Sequence, residues 1–323
     1  MSSVLDTVLD TLAEHSDNPS AFLALNSGNE YFRDDRFEGA CAYRRSGRHV
    51  LQFGGPFAAP EHRERLLDSF VAETGPRLVA VQLQRADAEL YARRGFTVNQ
   101  LGASYAVDLS CFTLRGSRFV RLRNKISRAR RAGLEVAEVQ HDDRRELDLL
   151  DDRWLRDKGR HVKELRFLVG QRTGPLQEHR RLFVGRIAGE AVGYVNYSPS
   201  YGSRPGWLHD LSRRRPDAPP GVMEALNATV MERFVADGAG WLHFGFTPFT
   251  GLGEEHEVPG SSRMFARFAR LLAEHGKAIY PAASQLEYKE KWAPHAVLPE
   301  YIAFLGKPRV GAVWQLLRAT NAV

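Results

Sequence analysis

The chain has 323 residues, 43% hydrophobic and 26% charged, with a formal net charge of +6 and a pI near 9.4. These fractions exclude large-scale disorder, and the length suits two domains of roughly 150 residues, each able to bury its own core. Cys41 and Cys111, the only cysteines, show no CxxC spacing, which argues against a disulfide scaffold or a cysteine-held zinc, and no apolar run approaches the roughly 20 residues that span a bilayer.

The first residues, MSSVLDTVLDTLAEHSDNPS, read as a short acidic amphipathic helix. A secretory signal would have a cationic start and an apolar middle, so the expected location is the cytoplasm. Short strands are expected next at AFLAL (from Ala21), GACAYRR (from Gly39) and HVLQFGG (from His49). A turn, GGPFAAPE, precedes the helical HRERLLDSFVAET; then come a strand RLVAVQL, a helix ADAELYARRGF and a strand SYAVDLS. Strands alternating with helices imply an α/β layer fold.

The segment from Arg115 to Arg131 carries eight Lys or Arg and no Asp or Glu. Phe119, Leu122, Ile126 and Ala129 fall three or four apart and form one apolar stripe, and Gly133 stands where a helix would stop. A basic linker helix over 115–133 is therefore expected between an N-terminal unit (1–114) and a C-terminal unit (134–323). The second unit repeats the α/β cycle. Its strands are LEVAEVQ, RLFVGRI, AVGYVNYSP, GWLHDLSRR, WLHFGF and YIAFLG; its helices are RRELDLLDDRWLRDKG, GVMEALNATVMERFVADG, SSRMFARFARLLAEHG and one after the last strand.

Several of these stretches, in this order, resemble the cytosolic catalytic region of the phosphatidylglycerol lysyltransferase family, the tandem-GNAT aminoacyl-tRNA-dependent transferases. The resemblance runs through LSCFTLRGSRFVRLRNKISRARRAGLEV, WLRDKGRHVKELRFLVG, GEAVGYVNYSPS, HDLSRRRPDAPPGVMEAL, GFTPFTGL and LEYKEKWAPHAVLPEYIAF. The first half matches less sharply, through LQFGGPFAAPEHRERLL and LGASYAVDL. The resemblance implies two tandem GNAT-like units, each a mixed sheet flanked by helices, with the acceptor on the N-terminal side and the aminoacyl-tRNA donor and catalytic site on the C-terminal side. It implies charged tRNA as donor substrate, without a further cofactor. The acceptor would be a small molecule, a peptide or a lipid headgroup such as phosphatidylglycerol. Within this sequence nothing corresponds to the multi-helix membrane region of the membrane-bound members, so contact with a membrane would be peripheral.

The loop from Arg215 to Val222, which is otherwise simply a stiff turn, argues from the residues themselves against an acyl-CoA donor bound in the usual way. A coenzyme A pyrophosphate is normally held by backbone N–H groups of a Gly-rich loop at a helix N-terminus. Here Pro216, Pro219 and Pro220 remove three donors and leave a single Gly221. An acyl-CoA-dependent N-acyltransferase of the same fold is the second reading, and a non-catalytic RNA- or membrane-surface-binding module the third.

An aminoacyl ester is already activated, so the site needs positioning, deprotonation of the acceptor and a stabiliser for the oxyanion. The resemblance places Asp210 and Arg213 of HDLSRR in the site. Asp210 would hold the α-ammonium and Arg213 would orient the ester or terminal adenosine; alternatively they form a structural ion pair at the strand end. Strand alternation sets Asp210 on the face of Ser212 and His209 on the opposite one. In LEYKEKW, Lys289 is the candidate for the oxyanion, and Lys291, two residues on and so facing a different way, is a candidate substrate contact. The resemblance adds Lys158 and Glu164 as substrate contacts, the latter a second ligand for the ammonium, and Trp154 as core. Phe246 and Pro248 of FGFTPFTGL would shape the aminoacyl pocket. The eleven histidines show no metal-ligand spacing, and neither a GxSxG elbow nor a P-loop is present. On the basic helix, Arg118, Arg121, Lys125, Arg128 and Arg131 would contact the tRNA backbone, with no acid in the segment to quench them.

Overall fold

The computed structural model describes residues 3–139, 144–158, 166–275 and 282–321. The first half contains α1 (Val4–His15), β1 (Glu30–Phe32), β2 (Ala40–Ser46), β3 (His49–Phe57), α2 (Pro60–Thr74), β4 (Leu78–Leu83), α3 (Arg85–Arg93) and β5 (Phe96–Asp108). The second contains α4 (Val120–Arg131), β6 (Glu135–Val139), α5 (Arg144–Lys158), β7 (Arg181–Ile187), β8 (Glu190–Ser200) and β9 (Gly206–Arg214). It continues with α6 (Val222–Ala236), β10 (Trp241–Pro248), α7 (Arg263–His275), α8 (Ala282–Glu290), β11 (Ala296–Leu305) and α9 (Val310–Ala319).

The two expected mixed sheets are joined edge to edge into one eleven-stranded sheet, in the order β1-β2-β3-β4-β11-β5-β10-β9-β8-β7-β6. Only β3–β4 and β9–β10 pair in parallel; the other neighbours are antiparallel. The junction is β5. It pairs with β11 from Phe96↔Leu305 to Ala106↔Ala296, while its second half, Gly102 to Asp108, also pairs with β10. Thus β11, from the C-terminal portion of the chain, lies between β4 and β5 of the N-terminal portion.

Helices cover both faces. On the first half of the sheet, α1, α7 and α9 share one apolar cluster with β2, β3, β4 and β11. Helices α2 and α3 cover the opposite face. Farther along, α4 and α6 pack together over β5, β8 and β10. The predicted stripe of the basic helix is the buried one: Phe119, Leu122, Ile126 and Ala129 are all at most 4% exposed. Gly133 takes φ +82°, the left-handed conformation that ends a helix at no steric cost.

One expected element is different. AFLAL forms a 3-10 turn, Ala21–Leu25, rather than a strand. The amides of Ala21, Leu23 and Asn26 donate to the carbonyls of Asn18, Ser20 and Leu23, and Asn18 anchors the turn by accepting from the Ser20 amide and donating to the Gln82 carbonyl. All five side chains are buried. A short wholly apolar run has no periodicity to separate strand from buried turn, so the tertiary position decided it.

Candidate active site

Strands β9 and β10 open a gap in the sheet. Their parallel pairing covers only Gly206↔Trp241, Trp207↔Leu242 and Leu208↔His243. Beyond these pairs each strand keeps only its outer neighbour, β8 or β5. β10 also bulges between His243 and Phe246, where Gly245 takes φ +70°. Clefts at the carboxyl ends of parallel strands are where open α/β sheets place their ligands.

Lys289 enters this gap from α8. Its ammonium donates to the Gly245 carbonyl (2.6 Å), the Phe246 carbonyl (3.1 Å) and Thr247 Oγ1 (2.6 Å). Pairing of β10 with β9 ends at His243, and beyond it the lysine supplies three donors to two backbone carbonyls and a hydroxyl. Lys289 is 6% exposed, and burial pulls its pKa well below the usual lysine range, opposed by Glu300. Glu300, on β11, is fully buried and accepts from the Ser104 hydroxyl of β5. Burial pushes its carboxyl up, against Ser104, Lys289 and Gln84. Tyr105 of β5 lies 5.7 Å beneath the Lys289 ammonium. The centre therefore combines α8, β10, β11 and β5, taken from both halves of the chain.

His209 packs beside Tyr197, Phe244 and Tyr288. Burial and the nearby Lys289 push its pKa down to about 3, so it stays a neutral ring at physiological pH. Phe246 and Pro248 are half-buried on β10; Pro248 pairs with Gly102, at which a Cβ would run into the Thr247 carbonyl and the Phe246 ring.

Asp210 departs from simple alternation. His209 pairs with Tyr197 and Leu211 with Asn196, so Asp210 is the extra residue of a β-bulge. The bulge aims its carboxylate at Arg180, whose Nη1 donates to Oδ2 at 2.7 Å. Both side chains are almost wholly buried, 0% and 1% exposed. Arg180 also donates to Asn26 Oδ1 (2.8 Å) from the first half of the chain and lies over the Phe22 ring. Asp210 Oδ1 makes no well-formed hydrogen bond among the described residues, and the Ser198 hydroxyl acts on the same carboxyl. Burial pushes the Asp210 carboxyl up, with Arg180 acting against it.

Arg213 is held elsewhere. It is 4% exposed, meets Asp151 of α5 at 3.0 Å and stacks over the half-buried Trp154 ring at 4.9 Å. Tyr194 and Arg172 join the same carboxylate. Asp210 and Arg213 thus have separate partners. Lys158 ends α5, its side chain beyond what is described, and Glu164 lies outside the described residues.

Lys291 points away from Lys289. It meets Glu224 of α6 and Glu287, each at 3.6 Å, and Glu224 also meets Lys125 of α4 at 3.3 Å. The basic helix therefore does find acids: Lys125 has Glu224, and Arg130 has Glu232 at 3.5 Å. These come from α6, which the helix's own sequence does not reveal. Arg118, Arg121, Arg128 and Arg131 are exposed, Arg118 lying over the Phe119 ring.

Helix α4 also crosses the start of α6. Gly221, the residue before α6, has φ +93°, and a Cβ there would overlap the Lys125 carbonyl oxygen. The N-terminus of α6, where an acyl-CoA enzyme of this topology would offer its pyrophosphate cradle, is thus packed against the backbone of the basic helix.

Sequence alone suggested Asp210, Arg213 and Lys289, but gave no signal for Arg180 or Asn26. Glu300 had a faint one, as a lone carboxylate within the apolar run of LPEYIAF.

The single mixed sheet flanked by helices and the gap between β9 and β10 define an α/β protein. Residues 10–304 match the family model for the phosphatidylglycerol lysyltransferase C-terminal region, and the chain belongs to that family. The phosphatidylglycerol lysyltransferase of Bacillus subtilis is 27% identical over 295 residues, covering 85% of this chain and 33% of that protein. The chain thus spans about a third of that relative's length. Among solved structures, the C-terminal domain of a putative lysylphosphatidylglycerol synthetase from Agrobacterium fabrum has a TM-score of 0.78 at 24% identity, covering 98% of this chain and 95% of that one. The L-PGS of Bacillus licheniformis has a TM-score of 0.79 at 24% identity, covering 97% and 95%. Both likenesses are of fold.

Proposed function

We propose that this protein is an aminoacyltransferase that moves an amino acid from a charged tRNA to a hydroxyl of an anionic lipid headgroup, phosphatidylglycerol by analogy with the named relatives. The observation that carries the tRNA donor is the crossing of α4 over α6. Gly221 abuts the Lys125 backbone, so the usual pyrophosphate cradle is filled by protein, while Arg121, Arg128 and Arg131 of the same helix face solvent. A cationic helix face suits a polyphosphate backbone better than a single cofactor.

In this reading the acceptor hydroxyl attacks the aminoacyl ester carbonyl, the tetrahedral intermediate collapses, and the terminal ribose hydroxyl of the tRNA leaves with the acceptor's proton. Asp210 Oδ1, a buried acceptor with a lone pair to spare, receives the α-ammonium while Arg180 holds the other oxygen. Lys289 turns one donor from the bulge of β10 toward the oxyanion, and Glu300 balances its charge. Phe246 and Pro248 wall the aminoacyl side chain. Lys158 and Glu164 remain candidate substrate contacts.

The test is transfer of a labelled amino acid from total charged tRNA to phosphatidylglycerol, with and without ribonuclease added before the enzyme. Label in the lipid fraction that disappears with ribonuclease supports the reading. Transfer that survives ribonuclease, or that needs only an acyl-CoA, overturns it.

A further inference from the structure

Helix α7 leaves a second apolar stripe uncovered. Phe265, Ala266 and Ala269 turn inward, with Phe265 against Phe304 of β11 at 5.5 Å. On the outer side Met264 is 75%, Phe268 46% and Leu271 56% exposed. Their spacing of four and three puts them on one line along the helix. Arg263, Arg267 and Arg270 flank that line in solvent, Arg270 meeting Glu254 at 3.1 Å. Helix α9 repeats the arrangement. It buries Ala312 and Leu316 in the same cluster, exposes Val310 (88%) and Trp314 (51%), and carries Arg309 and Arg318 in solvent, with Lys307 just before it. Both helices cover one face of the sheet, so both outer sides look away from the same layer. The third helix of that layer, α1, carries Asp6, Asp10 and Glu14 and does not extend the basic surface.

From these observations we infer that α7 and α9 form a docking surface for an anionic bilayer. Large apolar side chains rimmed by Arg and Lys, with a Trp among them, are the chemistry of a helix lying in the headgroup region. A protein partner would gain from the apolar stripe alone, whereas the cationic rim favours a negatively charged surface. The patch is also close in the chain to the candidate site. Residues 249–262 run from the end of β10 directly into α7, and Phe246, Phe249 and Leu252 pack on the same cluster as Phe265. The docked surface would bring lipid headgroups to the acceptor side of the gap. The inference rests on the lipid-acceptor reading for its purpose, although its test does not require turnover.

The experiment is co-sedimentation of the full chain with vesicles of phosphatidylcholine alone or mixed with phosphatidylglycerol, for the wild type and two variants. One combines Met264→Ser, Phe268→Ser and Leu271→Ser; the other combines Arg263→Glu and Arg267→Glu. The wild type should bind the mixed vesicles at least tenfold better than the neutral ones. Both variants should lose at least tenfold of that binding while keeping the wild-type melting temperature and activity on detergent-dispersed phosphatidylglycerol. Failure of the wild type to sediment with the mixed vesicles, or sedimentation of either variant at the wild-type level, overturns the inference. So does a wild-type dimer in solution that the serine variant dissociates, because the patch is then a self-interface. Vesicle binding without any transfer to dispersed lipid would instead sink the lipid-acceptor reading and leave the docking surface standing.

Discussion

Arg180 and Asp210 meet at 2.7 Å with both side chains shut away from solvent, and Asn26 holds the other end of the guanidinium. This contact ties the bulged strand of the second half to the turn that follows the buried Ala21–Leu25 segment of the first. Removing one member leaves a buried charge without its partner, which costs about 3–5 kcal/mol, whereas replacing both with apolar groups costs much less. Arg180→Met and Asp210→Leu should therefore each destabilise strongly, and the double variant should recover much of the loss. Urea unfolding of the four proteins measures the coupling. Additive losses would show that the pair is not a unit.

Asp210 also has a role to lose beyond stability. Asp210→Asn keeps the shape and an acceptor but removes the charge that would hold an α-ammonium. Its kcat/KM for labelled transfer should fall at least a hundredfold, about 2.7 kcal/mol of transition-state binding, while its affinity for charged tRNA stays near wild type. Unchanged turnover removes Asp210 from the site.

Gly221 gives a test of how α4 is seated. Alanine there would need a left-handed backbone and would press into the Lys125 carbonyl. Strain and overpacking together should cost about 2–4 kcal/mol. A Gly221→Ala protein within about 0.5 kcal/mol of wild type, the range of ordinary surface changes, would mean that α4 does not lie across α6 in solution.

The outer face of α4 predicts a salt effect. Arg121→Glu, Arg128→Glu and Arg131→Glu together should raise the charged-tRNA concentration needed for half-maximal transfer. They should also flatten the salt dependence of binding by about one unit of log–log slope for each phosphate that the helix no longer neutralises. Lys125 is left out because Glu224 already engages it. Identical salt slopes would leave the helix only a connector.

Glu300 predicts a pH dependence of stability. Burial raises its folded pKa to about 7 from an ordinary 4.5, so the folded state binds the proton more tightly than the unfolded chain. The contribution is fully present below pH 4.5 and is lost as the pH rises through 7. Lys289, lowered to about 7 from 10.5, has the opposite sign, and its contribution is regained between pH 7 and 10.5. Buried His209, lowered to about 3 from 6.5, has the opposite sign up to pH 6.5, so the check is a difference: the Tm of the wild type relative to that of Glu300→Gln should fall as the pH rises from 4.5 to 7. An unchanged slope in the variant would mean that another group carries it.

Much of the fold was legible locally. The stripe Phe119, Leu122, Ile126 and Ala129 fixed both the existence and the buried side of α4, and the strands of β2 to β4 and β7 to β10 followed from apolar runs bounded by turn residues. The AFLAL run failed because a wholly apolar pentapeptide carries no period. Alternation failed at Asp210 because a bulge inserts one residue and re-aims the side chains around it.

What the sequence determined by itself is local: periodicity, helix stops, the prolines of the Arg215–Val222 loop, and the concentration of positive charge in one helix. Tertiary structure decided the rest. It placed β11 between β4 and β5, supplied Glu224 to Lys125 and Arg180 to Asp210, and parted β9 from β10 so that Lys289 could fill the gap. The physical reason is sequence distance. Side-chain period is set within a few residues, whereas a buried charge takes its partner from wherever the packed chain brings one, here from 30 residues away for Arg180 and Asp210 and 154 for Arg180 and Asn26.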